Sequence, residues 1–192
     1  MTPSSQRATF YIAAREHHPA ILYKLLLKII DANPPHRVVV LCAHQEQDHD
    51  LTAQLWTLGR NTFLPHGNHE DGMPNYQPIW LTSSQETSRH PPNAKEHTPH
   101  VLVTYGDALP TTQDSQATFF QAHRHAYERF VLLIDHKNDG TDEAYLAQCQ
   151  NAWGQQDTMK AYRHTGKAWH HIPITDKMTD KEHHATEQGD RP

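Results

Sequence analysis

Two apolar runs constrain this chain more than any other feature. Residues 37–43 (RVVVLCA) and 130–134 (FVLLI) show no polar alternation. A strand with one wet face alternates with period two, so a run without alternation is covered on both faces. Such strands occupy the middle of a mostly parallel sheet, with helices packed above and below. Residues 8–13 (ATFYIA) read as a further buried strand at the start of the chain. Pro19 opens a helix in which Leu22, Leu25, Leu26, Ile29 and Ile30 recur at i, i+3, i+4, while Lys24, Lys28 and Asp31 face away. Asn33-Pro34-Pro35 ends it, because proline cannot continue the ladder. The first forty residues are thus a β-α-β unit.

The alternation continues. Residues 46–58 predict a second helix with Leu51, Leu55 and Leu58 on one face and Gly59 as its C-terminal cap. Residues 62–64 predict a strand stub before Pro65, and 66–76 (HGNHEDGMPNY) predict a loop. Residues 78–82 (PIWLT) and 101–104 (VLVT) predict two more strands, joined by a polar, mobile loop over 83–99. Residues 119–129 predict a helix. Thr141 is set to cap another, with Asp142 and Glu143 in its first turn, running towards His164 past a weak point at Gly154 and stopped by Gly166. Residues 167–174 form a last strand or an extended tail. The expectation is one Rossmann-like three-layer α/β domain over 1–174, with right-handed crossovers, and a disordered polar tail over 175–192.

Composition narrows the function. At 192 residues there is room for one domain. No apolar run approaches the roughly 20 residues that span a bilayer, and the N-terminus lacks the apolar stretch of a secretory signal. Two cysteines, Cys42 and Cys149, are too few for a disulfide framework, which favours a reducing cytoplasm. The net charge of −5 opposes broad binding to duplex DNA. Eighteen histidines make the surface charge sensitive to mild acid, and full protonation would reverse its sign.

Catalytic signatures are missing. The chain has no G-x-x-x-x-G-K-[ST] loop, no G-x-G-x-x-G after the first strand and no G-x-S-x-G elbow. Histidines cluster at His44/His49 around Asp48, at His66/His69 before Glu70 and Asp71, at His123/His125, at His170-His171 and at His183-His184. None has the spacing of H-E-x-x-H or a C-x-x-C pairing. The 66–71 group reads as solvated loop or, alternatively, as metal ligands. No catalytic residue, metal or cofactor is assigned. The rival reading is a small hydrolase or a nucleotide- or metal-binding enzyme using His66, His69 and Asp71 near the strand ends, where such sheets bind ligands. A histidine-rich metal buffer is a third.

Three segments carry a resemblance. They are ATFYI at 8–12 with its apolar helix and RVVVLCA, L-W-x6-F-L-P-H at 55–66, and K-A-Y-R-x-x-G at 160–166. In this order the chain resembles the chi subunits of bacterial DNA polymerase III over about residues 8–172. The resemblance implies a non-catalytic adaptor in the clamp-loader assembly, with a Rossmann-like sheet and no nucleotide. It implies that chi pairs with the psi subunit, or with a helicase using the same face. It also implies capture of the acidic, Phe-ending tail of single-stranded DNA-binding protein, and through it indirect contact with single-stranded DNA.

By that resemblance Trp56, Phe63, Leu55 and Pro65 form the psi-binding patch. The residues alone leave open whether Trp56 and Phe63 belong to an interface or to the core. Lys160, Arg163, His164 and Lys167, with Met159 and Val131 as an apolar slot, form the site for the acidic tail. Alternatively, those cations merely offset the negative end of a helix dipole. Two positions depart from the family pattern: Gln156 stands where an Arg is common, and Met159 where an aromatic is common.

Overall fold

The computed structural model describes residues 7–32, 36–59, 62–83, 101–106, 127–136, 142, 144, 146, 147 and 158–174. In chain order the elements are β1 (Arg7–Ala13), α1 (His18–Ile30), β2 (Val38–Cys42), α2 (Gln45–Leu58), β3 (His66–Gly67), β4 (Ile79–Ser83), β5 (Val101–Tyr105), β6 (Arg129–Asp135), β7 (Thr158–His164) and β8 (Trp169–Ile172). Short 3₁₀ turns cover Arg15–His17 and Pro74–Tyr76.

The strands form a single sheet in the order β3-β4-β2-β5-β6-β1-β7-β8. All neighbours run parallel except β7 and β8, which form an antiparallel hairpin. Every residue of β2, β4 and β5 is buried, as their unbroken apolar runs require. Period two divides their side chains between two cores. Val38, Val40, Cys42, Val101, Val103, Val131 and Leu133 meet Leu22, Leu26 and Ile29 of α1 and Leu51 and Leu55 of α2. Val39, Leu41, Leu102, Phe130 and Leu132 turn the other way, with Phe10, Ile12 and Leu146. Each fully buried aliphatic side chain contributes about 1.5–3 kcal/mol. The Rossmann-like α/β class and its mostly parallel sheet are as expected.

Several local expectations fail, and each for a physical reason. The helix expected to run into His164 does not: 158–164 is strand β7, paired with β1 from Arg7↔Thr158 to Ile12↔Arg163. T-M-K-A-Y-R-H alternates with period two, so Met159 and Ala161 reach one core while Lys160, Tyr162 and His164 face the other side. Gly166 ends no helix. It turns the β7–β8 hairpin at φ +83°, a left-handed conformation that glycine adopts without strain, and the Thr165 N–H donates to the Ala168 carbonyl at 3.1 Å. Arg129 begins β6 instead of closing a helix.

Residues 62–64 are extended but unpaired, and the ladder starts two residues later in β3. Ser83, expected in a loop, is buried in β4. Leu58, placed on the core face by its spacing, is exposed in the last turn of α2. Residues 119–126 of the helix expected over 119–129, the cap at Thr141, Cys149, most of the 83–99 loop and the 175–192 tail lie outside the described residues.

One contact fixes the top of the sheet. The β1 crossover, α1, packs on one face, whereas Leu146 from the segment after β6 packs on the other. The neighbouring C-terminal ends of β1 and β6 are therefore a topological switch point, the crevice where sheets of this kind hold nucleotides. His18 stands beside it. Its buried imidazole donates from Nε2 to the carbonyls of Ala13, at 2.8 Å, and Ile134, at 3.2 Å. Truncation removes the shared donor, although the Ala13 carbonyl keeps the His136 N–H at 2.9 Å, so His18→Ala is expected to lower the unfolding free energy by about 1–3 kcal/mol in urea titration. An unchanged transition would show that the bridge does not hold the strand ends together.

Candidate protein-docking surfaces

The first surface is built by α2 and the turn after it. Leu51 and Leu55 lie four residues apart and point into the core. One residue on, the helix has rotated by about 100°, so Trp56 leaves the core and is 51% exposed. Gly59 then lets the chain pass over Tyr23. A Cβ there would lie 2.1 Å from the Tyr23 hydroxyl, which donates to the Thr62 carbonyl at 2.9 Å. Leu64 anchors the extended segment in the core, and alternation turns Phe63 outward, 68% exposed.

The rings of Trp56 and Phe63 meet at 5.5 Å, and His66 supports Trp56 at 4.6 Å. His66 is itself buried, and its Nδ1–H donates to the Leu64 carbonyl at 2.8 Å. The structure thus brings Trp56 and Phe63 together at the surface, with Pro65 half-buried beside them in sequence. Leu55 is separated from them and belongs to the core.

The 66–71 histidine group is neither solvated loop throughout nor a cation site. His66 and Asn68 are buried. Asp71 accepts from the Asn68 N–H, and Asn68 Oδ1 accepts from the Glu70 N–H, which closes a tight polar turn. Among the described residues no group of three or more His, Cys, Asp or Glu is placed to hold a metal ion.

The second surface lies at the opposite edge of the sheet, and the structure divides the expected cation cluster. Lys160 and His164 project from β7 towards the α1 side, and Lys167 is exposed in the hairpin turn. Arg163 and Met159 project to the other side. There Arg163 Nη2 lies 3.4 Å from Asp142 Oδ2, a buried carboxylate that also accepts from His136 Nδ1. Arg163 is therefore already committed to an internal ion pair. Val131 is buried in β6 beneath the α1 side and lines no surface slot.

Spacing did not reveal the rings that share the Lys160 face. Tyr11 and Tyr162 stack at 5.8 Å, and Trp169 meets Tyr11 edge-on at 5.2 Å. Burial, and then the adjacent Tyr162 phenol, raise the Tyr11 phenol above its ordinary pKa, while Arg129 pulls it down. The signal was present as alternate aromatics in Y-R-H and W-H-H, but it is legible only once 158–172 is known to be a hairpin.

The described helices include none long and apolar enough to cross a membrane. The architecture is that of a Rossmann-like α/β domain, in which a cavity lined by Ala14, His17, His136, His164, Thr165 and Gly166 lies beyond the ends of β1, β6 and β7. Domains of the same fold occur in DEAD-box proteins. A chain in the crystal structure of E. coli SrmB bound to regulator of ribonuclease activity A superposes with a TM-score of 0.50 at 14% identity, over 82% of this chain and 89% of that one. The C-terminal domain of Dbp5 gives 0.51 at 12% identity, over 84% and 92%.

Sequence relationships are more specific. Residues 6–156 match the DNA polymerase III chi subunit family, HolC. A probable DNA polymerase III subunit chi from Rickettsia prowazekii (strain Madrid E) is 30% identical over 130 residues, which is 68% of this chain and 70% of that protein. The chain belongs to the chi subunit family of DNA polymerase III, as its motifs implied. The family match stops two residues before β7, so K-A-Y-R lies outside it.

The two neighbouring residues of α2 separate core from surface. Leu55→Ala is expected to cost about 2–5 kcal/mol in chemical denaturation, the range for a buried leucine. Trp56→Ala is expected to leave the circular dichroism spectrum native and the stability within about 1 kcal/mol. Comparable losses for both would place Trp56 in the core.

Proposed function

We propose that this chain is a non-catalytic adaptor of the replisome, which joins the clamp loader to single-stranded DNA-binding protein by offering separate faces to each. The observation that carries this reading is the Trp56–Phe63 pair. Two large rings in mutual contact are left exposed at one sheet edge and held by a buried His66. Rigid aromatic anchors of this kind dominate protein interfaces, at about 2 kcal/mol or more each. Membership of the chi family supports the psi subunit as the occupant of that patch, with Pro65 at its margin. A helicase that uses the same rings is an alternative occupant.

The acidic, Phe-ending tail of single-stranded DNA-binding protein is assigned to the opposite edge. Lys160, His164 and Lys167 supply its cations, since charge-assisted contacts suit terminal carboxylates. Arg163 plays a different part: it neutralises Asp142. Met159 lies on the Arg163 side of β7, and Val131 is buried, so neither joins those three cations in one pocket. This adaptor works in the cytoplasm, where the replisome is assembled.

Pull-down of psi by the full chain tests the first contact. Trp56→Ala and Phe63→Ala are each expected to weaken it roughly thirty-fold or more, the equivalent of about 2 kcal/mol, with native circular dichroism. Retention of psi by the double variant would refute the patch. For the second contact, a labelled tail peptide should bind with a micromolar Kd that weakens with salt, and Lys160→Ala should weaken it further. No binding of the peptide at low salt would sink that half of the reading.

A further inference from the structure

The β7–β8 edge carries more than three cations. On the α1 side of β1, β7 and β8, six rings form one connected array. Tyr162 stacks on Tyr11 at 5.8 Å and meets His171 at 5.5 Å. Trp169 lies 5.2 Å from Tyr11 and 4.9 Å from His164, and His164 lies 5.5 Å from His17. Strand pairing sets this pattern: Tyr11, Tyr162 and His171 occupy one row across the sheet, and His164 and Trp169 the next. The array is not sealed in a core. Trp169 is 39% exposed, His17 and His171 are exposed, and Tyr162 and His164 are half-buried.

Cations bracket the array. Towards the start of the strands, Arg7 and Arg129 stand opposite each other, with Lys160 one row further along the same face. At the other end Lys167 projects from the hairpin turn. The described carboxylates on and beside these strands are Asp135 at the last position of β6, Glu128 just before that strand, Glu16 beside His17 and Asp142 paired with Arg163, against Arg7, Arg129, Lys160, Arg163 and Lys167. In a chain of net charge −5, this is a local inversion of sign. Successive outward residues of β7 are separated by roughly 7 Å, so Lys160, Tyr162 and His164 present a cation and then two rings in file.

A file of exposed rings on a sheet face, bracketed by cations that outnumber the carboxylates beside them, suits one polyanion in particular. Single-stranded nucleic acid offers splayed bases that stack on aromatic faces and a backbone that cations track. An acidic peptide would use the cations and leave most of the rings unoccupied. Duplex DNA cannot offer its base faces. Because the chain belongs to a DNA polymerase subunit family, the strand is DNA. We propose that the α1-side face of β1, β7 and β8 binds single-stranded DNA directly, with bases stacked on Trp169, Tyr162 and His171 and phosphates on Lys160, Arg7 and Lys167. This contact requires neither psi nor the protein tail, although it shares Lys160 and Lys167 with the tail site.

The test is fluorescence anisotropy of a labelled oligothymidylate of about fifteen nucleotides with the full-length chain. Binding is expected in the micromolar range at low salt. The affinity should fall with salt at a slope near −0.7 per phosphate contact, and Lys160→Ala should reduce that slope by about 0.7. Trp169→Ala and Tyr162→Ala should each weaken binding by roughly five- to a hundred-fold, as loss of one base stack predicts, while Trp169→Phe recovers most of it. Trp56→Ala, at the other edge, should leave the isotherm unchanged, and Trp169→Ala should still bind the acidic tail peptide.

Native circular dichroism of each variant guards against loss of fold. Several results would overturn the proposal: no anisotropy change at low salt, equal binding by Trp169→Ala, or tighter binding to duplex than to single strand. Sedimentation showing a dimer that Trp169→Ala dissolves would overturn it too, because the rings would then be covered by a second copy.

Discussion

The structure rests on the requirement that β2, β5 and β6 be covered on both faces. Val38–Cys42 has no residue that tolerates water on either side. Helices must therefore pack on one face, and other segments on the opposite one. α1 and α2 cover the first face over the middle of the sheet, and Leu146 marks the second. Once the middle is sealed, side chains able to meet a partner can stand only at the margins. The two surfaces that matter lie there, one beside β3 and the other on β7 and β8. They are separated by the full width of the sheet, the arrangement an adaptor needs.

At the switch point between β1 and β6 a buried imidazole donates to two carbonyls and ties the strand ends together. The likeness to the C-terminal domain of Dbp5 is one of backbone architecture, at 12% identity. The histidine abundance is likewise put to work at particular places. His18 bridges carbonyls, His66 braces Trp56, His136 pairs with Asp142, and His164 and His171 enter an aromatic array. These are packing and hydrogen-bonding roles, for which a ring with two nitrogens is suited whatever its charge.

Legibility followed the strength of local pattern. β1, β2, β4, β5 and β6 were readable because continuous apolar runs leave few alternatives, and α1 because five aliphatic residues share one stripe. α2 was readable except at Leu58. The misreading of β7 came from its place near the edge. A half-buried strand there needs only Ala161 fully inside, so its hydrophobic signal is weak, and the helical signals at Thr141–Glu143 were extrapolated across it. The candidate site changes with it: of four cations expected on a helix turn, Lys160 and His164 face one side of β7, Arg163 faces the other, and Lys167 lies in the hairpin turn.

The amino-acid order by itself determined the class of fold, the two covering helices on one side and the aromatic residues that had to find a use. Those properties are set by local periodicity and by side-chain chemistry, which act over a few residues. Only the tertiary structure decided which rings meet. Tyr11 joins Tyr162 and Trp169 across about 150 positions because β7 pairs with β1 on one side while it forms its hairpin with β8 on the other. It also decided that Arg163 is spent on Asp142 while Lys160 faces outward, since strand alternation and a buried carboxylate set those directions. Pairing between distant strands depends on the whole sheet closing at once, and no short window of residues encodes it.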